Sequence, residues 1–401
     1  MTVKQIYELM NTVTGEVLGK TGLVAEDLSN VVDVGTEVFN ATAVDNYVKT
    51  LVNHIGKVIF VNRPYSGKIP SVLMDSWEFG SVLEKISCDT PAAEENESWD
   101  LVDGQEYKQD IFYKTTVSAK FFNSKVTFEV PMSFTEKQVK ESFSNAAQLN
   151  GFISMIYNAV DRSMTIKIDG LVMRTINSMI AQTLNADKTA FTGGYGTAST
   201  ARCVNLLKLY NDKFFPATGS TANPDALTAD KAIYDPDFIR FASYTMGVYV
   251  DRLASISTLF NVGGKDRFTD ANNLHVIMLS DFAKGADVYL QSDVRHNEMT
   301  RLPNYETVPY WQGSGQNYEF DSTSAINVKI DASTTVEIDG IVGVMFDRDA
   351  LGVSNLDRRV TTAYNAKAEF FNNYYKFDAG YFNDTNENFV VFFVSDAKTG
   401  S

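Results

Sequence analysis

The chain reads as an α+β protein in which one unusually long helix is flanked by strand-rich segments. Three observations carry that expectation. No proline occurs between Pro131 and Pro216, and apolar residues recur every three or four positions from Ile153 to Ile180. Residues 57–129 and 337–394 show the period of two that belongs to strands, bounded by Gly, Asp and Asn. The chain closes with an apolar run, Phe389 to Val394, read as a last strand.

Taken in order, Ile6, Met10, Val13 and Val17 lie on one face of an N-terminal helix over residues 1–20. Asp45 is a suitable N-cap for a second short helix carrying Val48, Leu51, Val52 and Ile55. From Lys57 the pattern is β: VIFVN as a strand, a turn at 63–67, then KIPSVLM as an extended piece. An acidic stretch, Asp89 to Asp110, holds Glu94, Glu95, Glu97, Asp100, Asp103 and Glu106, and no Lys or Arg occurs between Lys85 and Lys108. The chain returns as IFYKTTVSAKFFNSKVTFEV. A long strand pair with a polar, acidic tip is expected, and such a pair needs a surface to lie on.

Ser133 with Glu136 reads as a capping box for a short helix. The long helix then begins near 144–148 and runs to about Leu184, some forty residues or roughly 60 Å at about 1.5 Å per residue. A Gly-rich hairpin, TAFTGGYGTAST, leads into a mixed region, Cys203 to Ile330. There helices are expected over Asp237 to Leu259 and after Asp281, and a strand over Leu274 to Leu279. The C-terminal part opens with EIDGIVGVMFDRDALGV, a strand broken at Asp347-Arg348-Asp349. Polar-aromatic strands, RRVTTAYNAKAEFFNNYYKFDAGYF, follow.

Composition bounds function. The 401 residues are 44% hydrophobic and 21% charged, enough for a sizeable core. Aromatic content is 12%, suited to broad contacts between subunits. The net charge of −15 and the scatter of Lys and Arg, adjacent at Arg358-Arg359, argue against a nucleic-acid grip. Neither a secretory leader nor a membrane-spanning apolar run is read. Cys88 and Cys203 are expected to be inert, half-buried thiols.

Nothing looks like an active site. His54, His275 and His296 lack metal-site spacing, and the two cysteines are too isolated for a zinc cluster. Gly193-Gly194-Tyr195-Gly196 and Gly313-Ser314-Gly315 lack the Lys-Ser/Thr of a phosphate loop. DRFTDANN (266–273) lacks the Gly and terminal Glu of a calcium loop. No catalytic residue, cofactor or metal is assigned.

The order of the C-terminal strands, with a "fDr" corner between them, resembles tailed-phage major capsid proteins of the Hong Kong 97 type. Three further stretches are similar to major head proteins of phi-29-type short-tailed phages. They are Val44-Asp45-Asn46 through His54-Ile55-Gly56 followed by Gly67-Lys68-Ile69-Pro70, Ser144 to Val160 (SNAAQLNGFISMIYNAV), and Leu274 to Leu290 (LHVIMLSDFAKGADVYL). The resemblance implies an N-terminal arm (1–56), an extended loop with flanking strands (57–131), and a spine helix with peripheral domain (132–202). It implies an axial domain (203–346), peripheral C-terminal strands (347–386), and a return strand and tail (387–401).

It also implies a function: many copies, as pentamers and hexamers, close into an icosahedral or prolate shell. That shell would enclose double-stranded DNA without specific binding. Portal and scaffolding proteins would be partners, with assembly in the host bacterial cytoplasm and no membrane involved. A bacterial encapsulin compartment is the alternative within the same fold. The phi-29-type immunoglobulin-like domain has no counterpart in this sequence, and the lysine and asparagine of the isopeptide crosslink cannot be matched. The acidic stretch is expected to meet basic residues of another copy. Glu94, Glu95 and Glu97 are the carboxylates, and Arg162, Arg174, Arg358 and Arg359 their candidate partners.

Overall fold

The computed structural model describes residues 3–19, 24–30, 32–34, 36, 50, 69–74, 83–88, 91, 93–107, 110, 112–142, 144, 146–192, 194–218, 223–291, 305–311 and 324–396. The expected helix after Asp45 and the strand VIFVN lie outside these residues. The chain forms two compact units, Met1–Ser81 with Ser124–Val172 and Val353–Gly380, and Val82–Asn123 with Met173–Gly352 and Tyr381–Ser401.

The first unit is built on a four-stranded sheet in the order β1-β11-β12-β4. Its strands are β1 (Leu73–Met74), β4 (Lys125–Thr135), β11 (Leu351–Asn365) and β12 (Phe370–Asn383). β12 pairs antiparallel with β4 from Phe370↔Thr135 to Gly380↔Lys125, so residues 125–135 belong to this sheet and not to the hairpin expected from the sequence. Alternation on β12 buries Phe371, Asn373, Tyr375 and Phe377. Against that face lie Met10 and Val13 of α1 (Val3–Leu18) and Leu149, Ile153, Ile156, Val160, Met164 and Ile168 of the long helix. The long helix therefore packs on the C-terminal strands. Between β4 and the long helix sits α2 (Glu136–Ser142). Its capping box is Thr135 with Gln138, each side chain accepting from the other's backbone N–H at 3.2 and 2.9 Å. Ser133 donates instead to Asn372 across the sheet at 2.5 Å, so the helix starts two residues later than the sequence pattern suggests.

The long helix, α3 (Ala146–Ala186), is 41 residues without a break. Its character changes along its length. Up to Ile168 one stripe is buried, whereas from Leu171 to Leu184 burial extends around most of the circumference.

The second unit centres on a five-stranded sheet in the order β5-β13-β10-β6-β7. The strands are β5 (Cys203–Asn205), β6 (Leu274–Leu279), β7 (Tyr305–Val308), β10 (Ile341–Asp347) and β13 (Phe389–Phe393). Val390 and Phe392 join an apolar cluster with helices α4 (Leu206–Phe214), α6 (Pro236–Ala254) and α7 (Ser280–Gln291). A short α5 (Ala229–Ala232) joins α4 to α6. On the sheet's edge strand, Cys203 Sγ lies 3.8 Å from the Thr183 carbonyl of α3. Every residue of β13 is buried, which explains the unbroken apolar run. Among its described residues the segment TAFTGGYGTAST shows turns and bends and no strand, after a short 3₁₀ turn (Lys188–Ala190). A small antiparallel pair, β8 (Ile326–Lys329) and β9 (Thr335–Ile338), leads to Gly340. There φ is +74° and a Cβ would stand 1.9 Å from the Val394 carbonyl oxygen, so only glycine fits.

Candidate functional site

The most exposed apolar and acidic surface lies in the connection between β2 (Leu83–Cys88) and β3 (Val117–Phe122), within the second unit. These strands pair antiparallel over six residues. The hairpin is shorter than the sequence predicts, because the chain turns at Asn123-Ser124 into β4. Between the strands, Trp99 is 94% and Phe112 88% exposed, and Leu101, Val102 and Tyr113 are exposed as well. The acidic residues Glu94, Glu95, Asp100, Asp103, Glu106 and Asp110 share this surface, all exposed. The segment has local order. The Tyr107 hydroxyl accepts from the Val102 N–H at 2.9 Å, Asn96 Oδ1 accepts from the Ser98 N–H at 2.8 Å, and Gly104 turns the chain at φ +83°. Exposed aromatic side chains at this density make the segment a candidate contact surface.

The root of the hairpin is held by charge. Lys85 and Lys120 stand directly opposite each other across the pair, an arrangement that by itself is destabilising. Both reach Asp384, whose side chain is 3% exposed: Lys85 Nζ lies 2.9 Å from Oδ2 and Lys120 Nζ 2.9 Å from Oδ1. Lys85 also meets Glu387 Oε1 at 3.2 Å and donates to the Asp349 carbonyl at 2.9 Å. Arg267 Nε closes the cluster 3.2 Å from Glu387 Oε2, an ion pair without hydrogen-bond alignment. Burial pushes the Asp384 carboxyl up, but the hydrogen bonds from Lys85 and Lys120 outweigh it and hold it below the usual carboxylate range. Burial likewise pulls the Lys85 ammonium down, and Asp384 and Glu387 more than restore it, leaving it raised.

The candidate arginines are spread over other surfaces. Arg162 is exposed on α3. Arg174 lies over the Tyr381 ring at 5.9 Å. Arg359 pairs with Asp378 at 2.8 Å, and Asp378 also accepts from Thr127 at 2.6 Å. The Arg359 hydrogen bond holds the Asp378 carboxyl below its ordinary value. The side chains of Glu97 and Arg358 lie outside the described residues. Arg359 is thus already engaged within its own subunit, which the sequence does not reveal.

The cysteines differ from each other. Cys88 is exposed, contrary to the half-buried expectation, and Cys203 is buried, with burial pushing its thiol well up. Among the described residues there is no group of three or more metal-binding side chains, and no helix is long and apolar enough to cross a membrane.

Sequence reasoning missed the Asp384 cluster. Its lysines are ordinary charges that stand 264 to 302 positions from the carboxylates they meet. No local signal marks it, because the lysines alternate with Ile86 and Phe121, the residues that periodicity alone would turn inward.

The chain matches the family model for Phi29-like phage major capsid proteins over residues 10–393. Among solved structures it is similar to a chain of the Staphylococcus phage Andhra capsid, with 8% identity, 84% of this chain and 88% of that chain covered, and a TM-score of 0.49. It is similar to a chain of the cyanophage P-SCSP1u capsid at 10% identity, 84% and 92% coverage and a TM-score of 0.44. For a Microbacterium phage Oxtober96 chain the values are 11%, 84% and 94%, and 0.43. A search of curated proteins returns no match.

Proposed function

The chain belongs to the Phi29-like phage major capsid protein family, many copies of which form the shell of a tailed-phage virion, and from that premise we propose that the segment between β2 and β3 is its principal assembly arm. The observation that carries this reading is the exposure of Trp99 and Phe112 beside a cluster of carboxylates. Large aromatic side chains supply most of the binding energy at protein interfaces, and acidic neighbours select a basic receiving surface. The fold is read as the Hong Kong 97 type, with residues 57–131 as its extended loop and flanking strands, α3 as its spine and 203–346 as its axial domain. Membership of a phage capsid family favours a genome-enclosing head over an encapsulin compartment.

The further partners are those that the capsid resemblance implies. With a net charge of −15 the wall encloses double-stranded DNA without gripping it. Pentamers and hexamers of the chain, a portal and a scaffolding protein complete the head, and assembly takes place in the host cytoplasm. The protein works through repeated interfaces and performs no catalysis; particles assembled with a chelator present should equal those without.

The test is assembly of the full chain, followed by light scattering and negative-stain imaging. Trp99→Ala combined with Phe112→Ala should abolish closed shells while leaving a soluble subunit. Neutralising Glu94, Glu95 and Glu97 together should weaken assembly mildly, at about 0–1 kcal/mol per exposed pair, and more at low salt. Normal particle yields from both variants would overturn the assignment of the arm.

A further inference from the structure

The alternation on β2 and β3 is inverted relative to an ordinary surface hairpin. Leu83, Lys85 and Ser87 share a face with Phe122, Lys120 and Ser118, and through Lys85, Lys120 and Phe122 that face meets the second unit, whereas Glu84, Ile86, Cys88, Val117, Ala119 and Phe121 face away and are exposed. A two-stranded sheet usually turns its apolar face inward and its charges to water. Here two lysines are turned inward, and what receives them is a carboxylate almost fully shielded from solvent. Phe122 anchors the same face on Phe382, with ring centroids 5.1 Å apart. A slip of one residue in this attachment would move both lysines out and the apolar residues in.

We propose that Asp384, with Lys85 and Lys120, is a positioning site for self-assembly. It fixes which face of the β2–β3 pair lies on its own subunit, and so presents Ile86, Val117 and Phe121 outward as a docking face for a second copy of this chain. The inference rests on the self-association of the family. The exposed aromatic segment lies between β2 and β3 in the chain, and the proposal assigns both surfaces to the same neighbour. The outward strand surface supplies contact area, and the ionic cluster supplies direction. Glu387, itself paired with Arg267, and the Asp349 carbonyl hold Lys85 as well, which keeps the root from rotating about a single contact.

Cys88 stands on the outward face and reports directly on whether that face is covered, while the buried Cys203 stays silent. Thiol labelling of the full chain is compared between free subunits and intact shells. Labelling of Cys88 should slow by at least about tenfold in shells; equal rates in both states would overturn the docking face. Asp384→Asn keeps the side-chain shape and removes the shared charge. It should leave a soluble subunit with an unchanged far-UV spectrum, a much reduced shell yield, and Cys88 unprotected in any particles that form. Neutralising all three, with Lys85→Met, Lys120→Met and Asp384→Asn together, should recover shell yield in part, since a cluster replaced as a whole leaves no buried charge unpaired. Normal yield and normal Cys88 protection in Asp384→Asn would refute the positioning role. Should that variant fail to fold, the wild-type labelling comparison still decides the docking face. Protected Cys88 in shells built from the Trp99 and Phe112 variant would separate this inference from the assembly arm, leaving the first standing and removing the second.

Discussion

Two aspartate substitutions on the same helix test the account of α3 as the spine of the first unit. Ile156 is fully buried in the cluster that contains Phe371, Tyr375 and Phe377, whereas Ile166 is 68% exposed. In Ile156→Asp the lost aliphatic burial costs about 1.5–3 kcal/mol. A carboxyl group without partners in that cluster costs about 2–7 kcal/mol more, even when it takes up a proton. Together these approach the whole stability of a typical domain, about 5–15 kcal/mol. Ile166→Asp has neither penalty and loses only helix propensity, a few tenths of a kcal/mol. Solubility and thermal melting of free subunits provide the assay, with negative-stain imaging as a second readout. Ile156→Asp should be insoluble or melt far below wild type, and Ile166→Asp should melt close to it. Equal effects from the two would mean that the buried stripe is wrongly placed and the packing of α3 on β12 mistaken. A folded Ile166→Asp subunit that fails to assemble would place Ile166 in a contact between copies and leave the packing argument intact.

Three other outcomes follow from single residues. The Tyr375 hydroxyl is buried with no hydrogen-bond partner among the described residues, and burial pushes its pKa well up; Tyr375→Phe should stabilise the subunit by about 1 kcal/mol, read as a raised melting temperature, and a clear drop would reveal a missing partner. Gly340→Ala should cost at least about 1–3 kcal/mol, because φ is +74° and the new Cβ would collide with the Val394 carbonyl; chemical denaturation would expose the error if the variant matched wild type. His275, beside Phe346 with centroids 5.9 Å apart, is held neutral by burial and by Arg348, against a smaller opposing pull from Asp347. Its folded pKa lies below the unfolded one, so well above about pH 6.5 it contributes no pH dependence, and as pH falls through that value the unfolded chain takes up the proton more readily than the folded one. Stability should therefore fall on acidification, and His275→Phe should flatten that part of the profile; an identical slope in both proteins would rule His275 out as its source.

Local periodicity made much of the fold legible. The four and three spacing of Ile153, Ile156, Val160 and Met164 located α3, and the Asp347-Arg348-Asp349 break located the corner where β10 ends. Asp347 makes that corner by accepting the Asp349 N–H at 2.9 Å through its own side chain. Ser133 misled because the capping pattern was satisfied twice within three residues. Cross-strand pairing to β12 extended β4 through Ser133 and left Thr135 to cap. The exposed acidic segment was legible too, as a long interval without Lys or Arg.

What the chain order alone determined is what depends on neighbours in sequence: helix and strand periods, turns, the absence of motif chemistry, and the overall charge. Tertiary structure decided everything that joins distant positions. It closed burial around the second half of α3, where Thr183 and Asn177 are enclosed and bond to the carbonyls of Met179 and Trp311. It engaged Arg359 with Asp378, and it brought Lys85 and Lys120 to one carboxylate more than 260 residues away. The physical reason is that hydrophobic periodicity encodes which face of an element is buried. The partner of a buried charge is set by the packing of whole elements, and no local pattern in the sequence records it.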